Sequence, residues 1–340
     1  MNSRSRTIAL DATYSVGRNL SGVGVYSREI VSALTRAHPE AKFLLCYRPH
    51  RFLRAPSARR RLLWGGLEPR ADLFHGLNQR LDRRYRRSVS TFHDLFVLTS
   101  DYSTPEFRER FAKQARQAAE RSDLVIAVSE FTACQVEELL KVERSRIRVI
   151  PHGVSVPPRS ADLVREPIIL FVGAIQKRKN VRRLVEAFER TPRDWKLVLA
   201  GSLGYGSEDE LRAVEQSARR AGITITGYIP ADGLELLYAR ASILAFPSLD
   251  EGFGFPVLEA MARGLPVLTS NRSALPEVAG DATLLVDPLN TEAIATSLNR
   301  LIEDESLRQH LSRKGLERST RYTWENAATQ SWHVYTELLG

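Results

Sequence analysis

Two cysteines among 340 residues, Cys46 and Cys134, supply neither a disulfide framework nor a metal-ligand spacing. Both are expected to be buried free thiols in a reducing compartment. No apolar run approaches the ~20 residues that a membrane-spanning helix needs. Met1–Arg6 is polar and basic, and only a short apolar run, Thr7–Leu10, follows it, so no secretory signal is expected there. The chain has no aspartate-x-aspartate element to hold a catalytic metal. It has no carboxylate pair that reads as a hydrolase acid and base, and no nucleophile–base set. No Gly-x-Gly-x-x-Gly follows the first strand of either half, which argues against a dinucleotide-dependent dehydrogenase. Aromatic residues do not interleave with the basic ones, and no DNA- or RNA-binding motif is present, so nucleic acid is not the expected partner.

What is present is ordinary in amount and uneven in placement. The chain is 43% hydrophobic and 26% charged, a soluble globular composition, and long enough for two domains. Residues 1–160 hold 28 Lys/Arg against 16 Asp/Glu, whereas the remainder holds 21 against 24. Most of the excess lies in Arg48–Arg87, with 12 basic and 3 acidic residues. Two readings stand side by side: a face toward a polyanion or an anionic membrane, and a solvated arginine-rich surface.

Short Val/Ile/Leu-rich runs alternate with longer amphipathic stretches. The first half has strand candidates at Thr7–Leu10, Lys42–Tyr47, Leu73–His75, Val89–Phe92, Leu124–Val128 and Arg148–Ile150. The second has Ile168–Val172, Lys196–Ala200, Ile223–Thr226, Ile243–Phe246, Val267–Thr269 and Thr283–Val286. Helix patterns between them include Val25–Arg36, Pro105–Arg121, Val181–Glu189, Glu208–Ala221 and Thr291–Ile302. Doubly buried strands separated by helices predict parallel sheets in βαβ units, and two series of about six strands predict two doubly wound α/β domains. Interruptions over Gly153–Pro167 place the boundary, giving domains at 1–158 and 159–322 and a helix at 323–340 that returns to the first domain. Open parallel sheets bind ligands beyond the carboxyl ends of their strands, so chemistry is expected there, in a cleft between the domains.

The strongest chemical signal follows the strand Ile243–Phe246: Pro247-Ser-Leu-Asp-Glu251-Gly-Phe-Gly-Phe-Pro-Val-Leu-Glu259. Gly252 and Gly254 permit close backbone approach, and Pro256 suits the first turn of a helix. Free N–H groups at such a helix start suit a diphosphate. Glu259, about one turn in, can accept from a ribose diol, and Glu251 in the loop can reach a sugar. Phe253 and Phe255 belong to the same loop.

At this point the chain resembles glycosyltransferase family 4, the retaining enzymes of the GT-B fold, and in particular bacterial mannosyltransferase-like enzymes of surface polysaccharides. Glu251 and Glu259 match that family's Glu-x7-Glu signature. Further matching segments are Gly22-Val-Gly-Val-Tyr26, Asp72-Leu-Phe-His-Gly76, Phe92-His-Asp-Leu95, Val125-Ile-Ala-Val-Ser-Glu-Phe-Thr132, Val149-Ile-Pro-His-Gly-Val154 and Phe171-Val-Gly-Ala-Ile-Gln-Lys-Arg-Lys-Asn180. The resemblance implies that His93, Lys179 and Glu251 are catalytic. It implies that Gly22, Gly24, Arg178, Tyr228, Gly252, Phe253, Gly254, Phe255 and Glu259 bind the donor. Gly22 and Gly24 are expected in the turn before a helix that starts near Val25, and His93 at a strand end with Asp94 orienting its ring. Lys177 is expected on the surface. Relatives place an arginine right after the strand glycine, whereas here Ala174 follows Gly173, which leaves that part of the phosphate clamp absent or supplied by Arg178.

The implied reaction is retaining and metal-independent, with no cofactor beyond the donor itself. The donor is a GDP- or UDP-linked hexose, with GDP-mannose favoured, and the acceptor a glycan or lipid-linked oligosaccharide. The expected location is cytoplasmic, at the inner membrane face if Arg48–Arg87 binds anionic lipid. The alternatives are a sugar-nucleotide epimerase of the same fold and a non-catalytic sugar-nucleotide-binding subunit, which donor turnover would separate from the enzyme.

Overall fold

A computed structural model of the protein describes residues 6–17, 19–55, 60–64, 69–155 and 164–340. The chain forms two compact units. One comprises Met1–Thr99, Pro105–Gly153 and Tyr322–Gly340, and the other comprises Ser100–Thr104 and Val154–Arg321. The expected boundary at 158/159 lies outside the described residues.

The first unit is built on β1 (Thr7–Asp11), β2 (Lys42–Tyr47), β3 (Arg60–Leu62), β4 (Leu73–Gly76), β5 (Ser88–Phe92), β6 (Leu124–Ala127) and β7 (Ile147–Val149). All neighbours pair in parallel, in the order β3-β2-β1-β4-β5-β6-β7. A central parallel strand faces helices on both sides, and β4, β5 and β6 are accordingly buried along their whole length. Phe74, Phe92 and Val125 pack with Phe111, Ala115 and Ala118 of the helix Pro105–Arg121.

The second unit is built on β8 (Glu166–Val172), β9 (Lys196–Ala200), β10 (Ile223–Gly227), β11 (Ala241–Phe246), β12 (Val267–Ser270) and β13 (Leu284–Val286), again all parallel. Their order is β10-β9-β8-β11-β12-β13. In both sheets the chain winds outward from the middle in one direction and then in the other. That creates a topological switch point between β1 and β4 in the first sheet, and between β8 and β11 in the second, where a ligand crevice opens.

Residues Trp324–Leu339 form a helix of the first unit, packed on the helix Gly22–Ala37. Trp332 stacks on His38 with ring centroids 3.9 Å apart, and Arg148 pairs with Glu337. Where this return begins, a Cβ on Gly153 would lie 2.3 Å from the Trp324 backbone nitrogen, so only a glycine fits.

Four expectations change. The first sheet has seven strands among the described residues, because Arg60–Leu62 pairs at its edge despite two arginines. The helix from Glu208 ends at Gln216. Beyond it Ser217 Oγ donates to Glu189 at 2.7 Å and Arg219 reaches the Trp195 carbonyl at 2.7 Å, so tertiary bonds replace further helical ones. Cys134 is exposed, lying on the outer face of the helix Glu130–Leu140 whose Ala133 and Val136 point inward, while Cys46 is buried. The first-unit helix starts at Gly22 rather than near Val25, with Ser21 as its cap, so Gly22 and Gly24 sit in its first turn. No helix of the described residues is long and apolar enough to cross a membrane.

Gly153→Ala is expected to lower stability by about 1–3 kcal/mol through overpacking against fixed backbone. Gly222→Ala, whose Cβ would meet nothing closer than Phe188 ring atoms at 3.4 Å and the Arg219 guanidinium at 3.7 Å, is expected to stay near the wild-type midpoint in thermal unfolding. Equal midpoints for the two variants would contradict the packing argument.

Candidate active site

In the second unit Arg178, Lys179 and Glu251 meet at the switch point. β8 ends at Val172, and Gly173, at φ +148°, turns the chain toward the tight turn Lys177–Lys179. The turn closes at Asn180, in the left-handed region at φ +59°, whose amide donates to the Pro247 and Pro288 carbonyls at 3.0 and 2.7 Å. The first bond ties the exit of β8 to the exit of β11, and the second ties it to the chain just after β13. Leu249 N–H donates to the Arg178 carbonyl at 2.8 Å and adds a further tie.

Glu251 sits at the centre of this junction. Its carboxylate pairs with Arg178 at 2.9 Å and with Lys179 Nζ, and accepts from Ser248 Oγ at 2.6 Å. All three charged side chains are about nine-tenths buried. Burial alone would raise the Glu251 carboxyl, but the charges of Arg178 and Lys179, with the bonds from Lys179 and Ser248, hold it down at about 2. The cluster therefore carries two cations against one anion, a net positive charge in a poorly solvated place. Lys179 Nζ also lies 4.7 Å above the centre of the Phe246 ring. Lys177 is exposed, as expected.

The loop after Glu251 runs into the helix Phe255–Ala262, capped by Gly254 at φ +112° with Pro256 in the first turn. The positive φ requires glycine at 254, and a side chain there would also strike Leu275 at 2.6 Å. Phe253 is buried and meets Phe255 edge-on at 5.7 Å. Glu259 follows one turn into the helix. Its carboxylate accepts from Tyr238 OH at 2.8 Å, and burial raises its pKa from the usual glutamate value. Tyr228 is 43% exposed after Gly227, which adopts φ +69° at the end of β10.

In the first unit the corresponding edge is neutral and aromatic. His93, just past β5, is buried, and its Nε2 lies 2.9 Å from the Leu77 carbonyl, so that nitrogen carries the proton. Its Nδ1 then accepts from His152 Nε2 at 3.4 Å. Tyr26 packs edge-on to His93 with centroids 4.7 Å apart. His75 bridges Tyr335 OH at 2.6 Å and Thr91 Oγ1 at 2.8 Å. Burial depresses His93 to about 4 and His75 to about 3, and lowers His152 as well, so all three are neutral at pH 7. Gly24 has a packing role, since a Cβ there would lie 2.9 Å from the Tyr14 carbonyl.

Several residues of these edges escaped the sequence reading. Tyr238 holds Glu259, yet nothing in its spacing marks it; Ser248, in the loop singled out above, bonds Glu251. Glu210 is buried, accepts from Arg182 N–H at the start of the helix Val181–Phe188, and is pushed up to about 7 by burial that outweighs Arg182. At the carboxyl ends of β1 and β2, Arg48 bridges Asp11 at 3.3 Å and Asp82. No group of three or more His, Cys, Asp or Glu among the described residues is arranged to hold a metal ion.

Two doubly wound parallel sheets, each with polar side chains gathered at its switch point, constitute a GT-B α/β fold. The comparisons with known proteins agree. The family model described as "Glycosyltransferase Family 4" matches residues 29–156, and "Glycosyl transferases group 1" matches residues 158–318. The O-antigen chain mannosyltransferase B of Escherichia coli is 32% identical over 296 residues, spanning 82% of this chain and 78% of the relative. The serotype-specific mannosyltransferase WbdA of Escherichia coli is 29% identical over 275 residues, or 74% of this chain, which spans only 34% of that longer protein. The crystal structure of Anabaena Alr3699/HepE in complex with UDP-glucose superposes with a TM-score of 0.75, 16% identity and coverage of 98% of this chain and 100% of that one. The chain belongs to glycosyltransferase family 4 and is a glycosyltransferase.

Glu251→Gln removes the carboxylate that Arg178 and Lys179 share and is expected to cost about 3 kcal/mol. Lys179→Met keeps the Arg178–Glu251 pair and should cost less; the reverse order in chemical denaturation would contradict the shared-carboxylate description. A second expectation concerns pH. The three first-unit histidines have folded pKa values below the unfolded one, so the stability tied to their neutral forms is present above about pH 6.5. That stability drains as pH falls below about 6.5, and the loss is complete by about 4 for His93 and about 3 for His75. Calorimetry should show the midpoint dropping between about pH 7 and about pH 4; a flat profile would refute the assignment.

Proposed function

We propose that the protein is a retaining, metal-independent hexosyltransferase of surface-polysaccharide biosynthesis. In this reading it moves a hexose, with mannose favoured, from a nucleotide-sugar donor to a glycan or lipid-linked oligosaccharide. The observation that carries the proposal is the net-positive Arg178–Lys179–Glu251 cluster at the switch point, beside the helix start at Phe255. A diphosphate brought there meets two cations and the positive end of a helix dipole. Mannosyl transfer is favoured because the two relatives named above are mannosyltransferases. HepE, whose fold this chain shares, supports a nucleotide-sugar donor through its UDP-glucose complex. GDP-mannose and a UDP-hexose are therefore the candidate donors.

The chemistry assigned to the side chains is modest. As the glycosidic bond breaks, Lys179 and Arg178 neutralise the departing diphosphate. Their positions are set beforehand by Glu251 and Asn180, so little reorganisation is needed at that moment. Glu259, held by Tyr238, receives the ribose hydroxyls, and Tyr228 lies against the base. Glu251 Oε2, paired with Arg178, has a second lone pair for a sugar hydroxyl. His93, neutral, is a hydrogen-bonding contact to the sugar rather than a proton donor. The acceptor hydroxyl attacks from the face the diphosphate leaves, and a diphosphate oxygen takes its proton. The protein works at the inner face of the cytoplasmic membrane, where a lipid-linked acceptor would be carried.

Thermal unfolding with a panel of GDP-, UDP-, ADP- and dTDP-sugars tests the donor. At about 100 times Kd, one nucleotide sugar should stabilise the wild type by about 2.7 kcal/mol. Lys179→Ala and Glu259→Ala should each lose most of that gain. Sugar transfer to a soluble oligosaccharide acceptor should fall at least ~100-fold in Lys179→Ala. Binding without turnover, across a panel of acceptors, would make the protein a sugar-nucleotide-binding subunit instead.

A further inference from the structure

The Arg48–Arg87 stretch has no part in the chemistry above, and two of its side chains are anomalous. Leu53 is 85% exposed and Trp64 is 67% exposed. The other three tryptophans do not resemble Trp64: Trp195 and Trp324 are buried at 8% and 5%, and Trp332 is half-buried. Leu53 and Trp64 both belong to the segments that form the β2–β3 edge of the sheet. Leu53 ends the short turn Pro49–Phe52 that follows β2, and Trp64 lies two residues beyond β3, the edge strand paired to β2. Leu63 N–H donates to the Tyr47 carbonyl at 2.8 Å, which continues the pairing up to Trp64. Arg60 fastens the two segments together. Its guanidinium donates to the Ala55 carbonyl at 2.9 Å and lies 4.8 Å above the Phe52 ring. The two apolar side chains therefore project from a braced carboxyl edge. Around them Arg54, Arg61 and Arg70 are exposed, and the whole stretch holds 12 basic against 3 acidic residues.

We propose that this edge, with Leu53 and Trp64 as apolar contacts and the surrounding arginines as charge contacts, docks the protein on an anionic lipid bilayer. An indole at a bilayer surface places its ring at the headgroup level, and a leucine beside it reaches the acyl boundary. Arginines extend aliphatic stems over apolar surface while their heads stay with the lipid phosphates. A single exposed tryptophan beside an aliphatic side chain makes a poor stacking platform for bases, which separates this surface from a nucleic-acid groove. The use of the docking rests on the proposed lipid-linked acceptor; the docking itself does not.

The test uses the full chain with vesicles of phosphatidylglycerol and phosphatidylcholine, and with phosphatidylcholine alone. On anionic vesicles the protein should co-float, and its tryptophan emission should shift to the blue and become shielded from acrylamide, reversed by high salt. Trp64→Phe should still float but lose the emission change. Leu53→Ser with Trp64→Ser should lower partitioning at least ~10-fold, and Arg54→Ala about fivefold. Transfer to a soluble acceptor should be unchanged in these variants. Absence of flotation on anionic vesicles would overturn the proposal, as would flotation that leaves Trp64 emission and the double variant unaffected. An emission shift that follows protein concentration without vesicles would make a second copy the occupant and overturn it too. Intact vesicle binding with no transfer by the wild type would sink the proposed function and leave the docking surface standing.

Discussion

The second unit turns on one carboxylate that answers two cations. Arg178 and Lys179 arrive from the exit of β8, and Glu251 from the exit of β11, so the ion pairs span the place where the winding of the sheet reverses. Burying three charges this deeply is unfavourable unless every one is paired and further hydrogen-bonded. Ser248 Oγ gives one to Glu251 and Arg178 gives one to the Asp250 carbonyl, while Asn180 and the Leu249 N–H fasten the backbone around them. The result holds two long, rotamer-rich side chains in a fixed arrangement before any anion arrives. The surplus positive charge is small, and the low solvent exposure makes it count.

The first unit repeats the winding order with different contents. Its edge carries neutral imidazoles, a tyrosine and a threonine linked through His75, Thr91 and Tyr26, and burial keeps the rings uncharged. Its formal charges lie apart from that cluster, in the Arg48 bridge between Asp11 and Asp82. One topology therefore presents a cationic surface in one unit and a hydrogen-bonding aromatic surface in the other. The fold supplies the positions, and the chemistry comes from what stands there.

The strands were legible because a parallel strand buried on both faces is a continuous apolar run, as in Ile168–Val172 and Leu124–Ala127. β3 was not, since Arg60-Arg-Leu carries no such signal and is a strand only by pairing with β2. The Glu251–Glu259 segment was legible through its glycines and proline, which mark a loop entering a helix. Its companions were not, because Tyr238 meets Glu259 and Asn180 meets Pro288 across long sequence separations that no local pattern encodes. Gly24 misled for a local reason: glycine ordinarily ends a helix, whereas here close packing on Tyr14 demands it inside the first turn.

The return of residues 322–340 to the first unit has a consequence for synthesis. The helix Trp324–Leu339 covers Tyr26 and His75 and belongs to the same unit as β1. Domains generally fold as they leave the ribosome, earliest first. Here the first unit cannot complete its core until residues 322–340 have left the ribosome, while all of β8 to β13 is available sooner. During translation, the unit that carries the cationic site would close before the unit that holds β1, and the face of the helix Gly22–Ala37 that packs on Trp324–Leu339 would stay uncovered in the interval.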